Sequence, residues 1–392
     1  MFYNIGVSTP KTSLDNTPKV DYKTALLLWV KAGGRCSFHG CNEYLLRDNL
    51  SMDELKQGNI AHIVAGKKNG PRGDDPLPYA DRSKIDNLML VCQRHHSVID
   101  NPELVEKYPK ELLRAFKKQH EEHIYELTGC RPDQRTRVIR VLARIGGEMV
   151  SASYSQICSA LLAQGRFPRE KDVIDIDLTQ HPSGDSQSFL EYAREIIRKN
   201  AHSAYEAEGL NVGEIGHVSV FAIGSIPLLV YLGSHLSNKV PTDLYQRHRD
   251  TQDWLWSSEP GKVRYAQRLV REGTDLSLVA LILSLSGKLT TDQLPELEGF
   301  YIYEITIDGQ LPNTDFLRSK SDLDGFRTEY QRFLGLVRSE HPSATAIHLF
   351  PAVPAPVAVI CGRELLHKIP PSLNVYDRDR GSGGFRFVME VS

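Results

Sequence analysis

Two stretches of this chain, 129 residues apart, read as copies of one another: HVSVFAIGSIPLLVYLGSHLSNKVPTDLY from His217 and AIHLFPAVPAPVAVICGRELLHKIPPSLN from Ala346. Phe221 falls on Phe350, Pro227 on Pro356, Gly233 on Gly362, Lys239 on Lys368 and Pro241 on Pro370, without a gap. At the same offset DVIDIDLT, from Asp172, falls on YIYEITID, from Tyr301; upstream, at a different shift of about 140, VIRVLARIGG has the texture of LVALILSLSG. A unit copied in one register folds twice in the same way, so the chain is expected to hold two like halves. Two halves that face each other would form one cleft at the C-terminal ends of their strands, where α/β sheets bind ligands.

The flanking segments fit that frame. TRVIRVLARIGG, DVIDIDLT, HVSVFAIG, LSLVALILSLSG, FYIYEITID and AIHLF have the composition of strands, and helical stretches such as SFLEYAREIIRKN and FRTEYQRFLGLVR lie between most of them. Strands alternating with helices predict parallel-rich α/β sheets. Before the polar stretch GCRPDQRT, Gly129 to Thr136, the texture differs, and that stretch reads as a linker. There, Tyr22 to Ala32 predicts a helix ended by Gly33-Gly34, and PKELLRAFKKQHEEHIYEL from Pro109 predicts a second, amphipathic helix. At 392 residues the chain exceeds one ordinary core. The expected domains are residues 1–130, with 1–20 as a polar arm, and 131–392, in halves of about 137–270 and 275–392.

Residues 35–100 are loop-rich and full of Cys, His, Asn and Gly. Cys36-Ser-Phe-His-Gly-Cys41 and Cys92-Gln-Arg-His95 form two knuckle-like pairs, and zinc takes its tetrahedron of soft ligands from two such turns. Cys36, Cys41, Cys92 and His95 are the expected structural Zn2+ ligands; the first pair is spaced wider than CxxC, which leaves His39 as a rival. The chain has no run of about 18 apolar residues, and MFYNIGVSTPKTS lacks a signal-peptide core. The expectation is a cytoplasmic protein without a membrane partner, whose six cysteines serve metal rather than a disulfide framework.

His95 and His96 are adjacent, so they cannot easily serve one site. If a helix starts here, His96 and Asp100 stand at i and i+4 on one face, where an imidazole and a carboxylate can hold a divalent cation. Upstream, the apolar run GNIAHIVAG carries His62, and Asp86-Asn87-Leu88 precedes the second knuckle. His62, Asn87 and His96, threaded between the knuckles, resemble the His-Asn-His (HNH) nuclease motif and its ββα-metal fold, over about residues 22–127. The resemblance implies that His62 is the general base for the attacking water, that Asn87 orients it, and that His96 ligates a single Mg2+ or Mn2+. Many members carry Asp immediately before the base; this chain has Ala61, and Asp100 is the expected substitute. Lys67, Lys68 and Arg72 in AGKKNGPRG are candidates for gripping phosphates of double-stranded DNA, or else form a solvated loop. Basic and acidic residues nearly balance over residues 1–130, so DNA contact must come from a local patch.

An HNH module leaves some 260 residues over. The duplicated α/β layout joined to it is similar to the HNH–SAVED effectors of bacterial cyclic-oligonucleotide antiphage (CBASS) defence. That resemblance implies a fold in two parts: an α+β, zinc-stapled HNH nuclease domain and an α/β SAVED domain of two fused CARF-like, Rossmann-type halves. It further implies that a cyclic di- or trinucleotide binds the SAVED domain, drives assembly into a homo-oligomer (dimer or tetramer), and switches on degradation of double-stranded DNA. Loops after the repeated strands are the expected pocket: Arg144 and Gly147 against Ser286 and Lys288, and Gly224-Ser225 against Pro351-Ala352, with Trp254 to stack on a base. Trp254 reads equally well as core. Two other functions remain open on the sequence: a ligand-independent, restriction-type HNH nuclease, and a non-enzymatic zinc-stapled sensor.

Overall fold

The computed structural model describes residues 19–48, 51–145, 148–168, 173–179, 187–205, 216–366, 369–379 and 383–392. The chain divides into two compact units, residues 1–130 and 131–392. The polar arm and Gly147 lie wholly or almost wholly outside the described residues.

In the first unit α1 (Tyr22–Lys31) is capped by Asp21, whose carboxylate accepts the Thr24 N–H. It stops at Gly33 and Gly34, both in the left-handed region that glycine enters without a Cβ penalty. Strands β1 (Gly58–His62) and β2 (Leu88–Cys92) pair antiparallel, with Gly58 opposite Cys92 and His62 opposite Leu88. Helix α2 (Gln93–Ile99) follows β2 directly, and α3 (Lys110–Thr128) closes the unit. Leu28, Leu45, Ile63, Leu88, Met89, Leu90, Val91 and Leu113 form its core. This is a small core for a unit of that length, which is the situation in which a metal staple matters.

The second unit holds two six-stranded arrangements. The first comprises β3 (Arg135–Ile145), β4 (Glu148–Val150), α4 (Tyr154–Ala163), β5 (Phe167–Pro168), β6 (Ile174–Asp177), α5 (Gln187–Ser203), β7 (Val218–Phe221), α6 (Ile226–Ser234) and β8 (Thr242–Tyr245). The second comprises β9 (Tyr265–Arg271), β10 (Val279–Ser284), β11 (Tyr301–Ile307), α7 (Lys320–Glu340), β12 (Ala346–Ala352), α8 (Ala355–Arg363), β13 (Ser372–Arg378) and β14 (Phe385–Val391). In the first, β3 lies between β6 and β7, and β7 pairs β8, all parallel. In the second, β10 lies between β11 and β12, and β12 pairs β13, again all parallel. The order β6–β3–β7–β8 is thus repeated as β11–β10–β12–β13, as the copied stretches require. The antiparallel strands β9 and β14 edge the second sheet. Because β9 pairs with β11, the division between halves falls before Tyr265, earlier than the expected 270–275.

The copied helices α6 and α8 meet each other. A Cβ on Gly233 would stand 2.0 Å from the Val359 carbonyl oxygen, and one on Gly362 would stand 1.8 Å from that of Val230. Positions 230 and 233 are the repeat partners of 359 and 362, so each half offers the same patch to the other, as in an isologous contact. One continuous apolar core runs through both halves, from Ile139 and Val220 to Leu281 and Leu349.

Candidate functional site

The first unit brings together two sets of side chains. Cys36 and Cys41 lie in the turn after α1, Cys92 ends β2 and His95 lies in the first turn of α2. Their sulfurs and nitrogen all fall within 4.8 Å of one another, the one such group among the described residues. His95 Nδ1 stands 3.6 Å from Cys36 Sγ and 3.2 Å from Cys92 Sγ. Ligands about 2.0–2.3 Å from a tetrahedral zinc are separated by about that much, so the donor set fits the metal. The His95 ring is fixed by stacking on Phe38, with centroids 4.1 Å apart and planes within 4°. Burial, with Cys92 and Cys41 beside it, pushes the Cys36 thiol up to about 12. A cation reverses that cost, since it is bound by the thiolate. His39, the rival ligand, instead stacks on Phe116.

The second set lies at the other end of the hairpin. His62 ends β1, and its Nε2 is buried without a hydrogen-bond partner among the described residues. Burial lowers its pKa; the Asp100 carboxylate opposes that shift and His96 adds to it, so the three groups lie within electrostatic reach of one another. His96 Nε2 and Asp100 Oδ2 are 3.6 Å apart across one turn of α2, the i, i+4 pair read in the sequence. Ala61 is fully buried in the core, so the residue before His62 offers no ligand, and Asp100 is the carboxylate beside the two histidines. Buried Asn87 accepts the Val64 N–H on Oδ1 at 2.9 Å and donates Nδ2 to the carbonyls of Val64 (2.8 Å) and Arg82 (2.9 Å). The Asn87 backbone carbonyl accepts the Ile63 N–H at 2.8 Å. It thereby fixes the chain just beyond His62.

Arg72 departs from the expected phosphate grip. Its guanidinium is turned into the unit, where Nε donates to the Ile63 carbonyl (2.5 Å) and Nη1 to those of Ile99 (3.0 Å) and Tyr108 (3.3 Å). Buried carbonyls at a strand end and a helix end need donors, and Arg72 supplies them. Lys67 and Lys68 are exposed on the same loop. Sequence reasoning also missed Arg82, which is buried and donates to the carbonyls of Ala65, Gly73, Asp75 and Leu77. Gly70-Pro71-Arg72-Gly73 reads as a solvated turn, where the hint to Arg72 was an arginine between loop glycines, and nothing in Ala80-Asp81-Arg82-Ser83 marked Arg82.

In the second unit the expected pocket residues are distributed along the C-terminal edges of the sheets. The Ser286 N–H donates to the Ala352 carbonyl at 2.7 Å, joining the ends of β10 and β12. Lys288 and Arg144 are exposed, Gly224 is half-buried, and Ser225 caps α6. Pro351 is buried. Trp254 is 1% exposed and meets the Phe221 ring edge-on, at 5.4 Å between centroids. It is core, because the apolar first half needs a large side chain there, and no base can reach it. A cavity of about 490 Å3 beyond the end of β11 is lined by Lys262, Arg264, Asn313 and Arg318 together with the carboxylates of Glu259, Asp308, Asp315 and Asp322, none of them marked by the sequence; Arg264 pairs with Asp308 and Arg318 with Asp315. Asn313 donates its N–H to the Leu285 carbonyl at 3.0 Å, which puts this cavity beside the Ser286 loop.

A duplicated α/β unit with its loops at the strand ends offers a ligand site there, and comparison with known families adds to that. Residues 199–391 match the family model of SAVED, the SMODS-associated and fused to various effectors sensor domain. Among solved structures, the chain is similar to the Acinetobacter baumannii Cap4 SAVED/CARF-domain containing receptor with the cyclic trinucleotide 3'3'3'-cAAA. The identity is 14%, over 74% of this chain and 60% of that one, with a TM-score of 0.45. The Moraxella osloensis Cap4 SAVED/CARF-domain containing receptor is 11% identical over 74% of this chain and 59% of that one, with a TM-score of 0.41. This chain therefore spans less than two thirds of the length of those receptors. No match is found among curated proteins. No helix among the described residues is long and apolar enough to cross a membrane.

Proposed function

We propose that this chain is a metal-dependent DNA endonuclease held off until its SAVED domain binds a cyclic oligonucleotide, acting as an effector of antiphage defence. The observation that carries the nuclease part is the convergence of His62, His96 and Asp100 at one end of a hairpin whose other end is fixed by the Cys3His cluster. His62, half-buried and with its pKa lowered, would take the proton from water as it attacks a phosphodiester. A Mg2+ or Mn2+ held by His96 and Asp100 would offset charge developing on the phosphate and the leaving oxygen. Asn87 keeps the chain after His62 in place, so the imidazole meets the water in one orientation.

The SAVED match supports the sensing part, and the cyclic trinucleotide of the Cap4 receptor names the ligand class to try. The ligand would lie at the C-terminal edge of the second sheet, between the Ser286–Lys288 loop, Ala352 and the cavity lined by Lys262, Arg264 and Arg318. Its phosphates suit those cations. Binding would favour a homo-oligomer in which the nuclease sites act, since a ligand can turn on only the state it binds better.

The test is plasmid cleavage by the purified chain with Mg2+, alone and with each of a panel of cyclic di- and trinucleotides. Cutting is expected with one nucleotide only, and His62→Ala is expected to slow it by at least about a hundredfold. Cutting without nucleotide would sink the gating, and cutting by His62→Ala at the parent rate would sink the assignment of the base.

A further inference from the structure

Arg72 is a constrained side chain of the first unit that the proposed chemistry leaves unused. Its backbone sits at φ +56°, a left-handed conformation that a non-glycine residue adopts at a cost. The next residue is Gly73, where a Cβ would lie 2.2 Å from the Lys68 carbonyl oxygen, so the loop is packed too tightly to relax around it. What this geometry achieves is a fork between two elements. Nε reaches the carbonyl of Ile63, the residue after His62, and Nη1 reaches that of Ile99, the residue before Asp100. The remaining nitrogen, Nη2, is buried and has no hydrogen-bond partner among the described residues. His62 Nε2 is in the same condition, and both groups feel the Asp100 carboxylate.

We infer that Arg72 is a positioning residue: its guanidinium clamps the strand end that carries His62 to the helix end that carries His96 and Asp100, and so sets the spacing between base and cation ligands. The inference rests on the nuclease reading of those three residues. A lysine in its place keeps the charge but loses the planar fork, and cannot hold both carbonyls at once. Arg82 is the natural comparison, because it is buried and also bonded to carbonyls, yet touches neither element end.

The test compares Arg72→Lys and Arg82→Lys in the full chain by three measurements: melting temperature, Mn2+ affinity by calorimetry, and plasmid cleavage over a range of DNA concentrations with the cyclic di- and trinucleotide panel present. Arg72→Lys is expected to melt a few degrees below the parent, because a buried carbonyl loses its donor, to bind Mn2+ about tenfold or more weakly and to cut about tenfold to a hundredfold more slowly, with the KM for DNA little changed. Arg82→Lys is expected to lower the melting temperature with Mn2+ affinity retained. Unchanged Mn2+ affinity in Arg72→Lys would overturn the clamp, and the nuclease reading would stand if the parent still cuts. Parallel loss of stability and Mn2+ affinity in both variants, or failure of Arg72→Lys to fold, would make Arg72 merely structural and overturn it too. A parent that binds Mn2+ but never cuts would leave the clamp and sink the nuclease reading. A parent that does neither would sink both.

Discussion

At the scale of single residues, the protonation of His62 decides when the proposed site can work. Burial holds its pKa below the ordinary 6.5, against the pull of Asp100 and with the help of His96. A lowered pKa means that the neutral base is already present at pH 6.5 and is lost only as the pH falls further. A bound cation would push in the same direction. The acid limb of kcat/KM is therefore expected below pH 6.5, with a slope of one. A midpoint at or above 6.5, measured on nucleotide-activated chain, would assign that limb to another group. The residues of this site were legible because each pairs with a near neighbour or a fixed element: His96 with Asp100 over one helical turn, Cys92 with His95 in one knuckle. Arg72 and Trp254 were not. The carbonyls that Arg72 binds lie 9, 27 and 36 residues away, and a carbonyl leaves no mark in the sequence. A tryptophan looks the same whether it is destined for a base or for Phe221.

At the scale of elements, the repeat was the readable feature, and it reached as far as the copying did. Strands β7 and β12, helices α6 and α8, and the strand order around β3 and β10 all follow from it. Among the described residues the edge strands β9 and β14 have no counterpart with the same place in the first sheet, so no register announced them, and the half boundary was drawn too late. The same repeat sets the tightest contact in the second unit. At Gly233 and Gly362 the opposing helix backbone occupies the space of a side chain, and a backbone cannot step aside as a flexible side chain would. Gly362→Ala is expected to destabilise the second unit by about 1–3 kcal/mol. That lowers its Tm by roughly 3–10 °C. Because the contact is reciprocal, Gly233→Ala should cost about the same, and the double variant less than the sum. Calorimetry of the three variants checks this; a neutral Gly362→Ala would mean that the helices have room to separate.

At the scale of the whole molecule, the two units differ in what holds them. The second rests on a continuous core through both halves, whereas the first has a short core list and a four-ligand cluster of which two cysteines are themselves buried. Three thiols gathered so closely favour a cation over their own protons, and without one the turn after α1 is left tied to β2 and α2 by the Ser37 N–H on the Leu90 carbonyl and the Phe38–His95 stack. Zinc is therefore expected to support the unit that carries the proposed chemistry and to be dispensable for the unit proposed to sense. Treatment with 1,10-phenanthroline should abolish amide protection around Leu28, Leu90 and Leu113 while leaving that around Leu281, Val359 and Val375. Cyclic trinucleotide binding, once found, should survive the same treatment that ends cleavage. Loss of protection in both units together would instead mean that they unfold as one, and that the metal staples the whole chain. The expected outcome separates sensing from cutting by chemistry alone, which is what a gated effector requires: one unit able to read its signal whatever the state of the other.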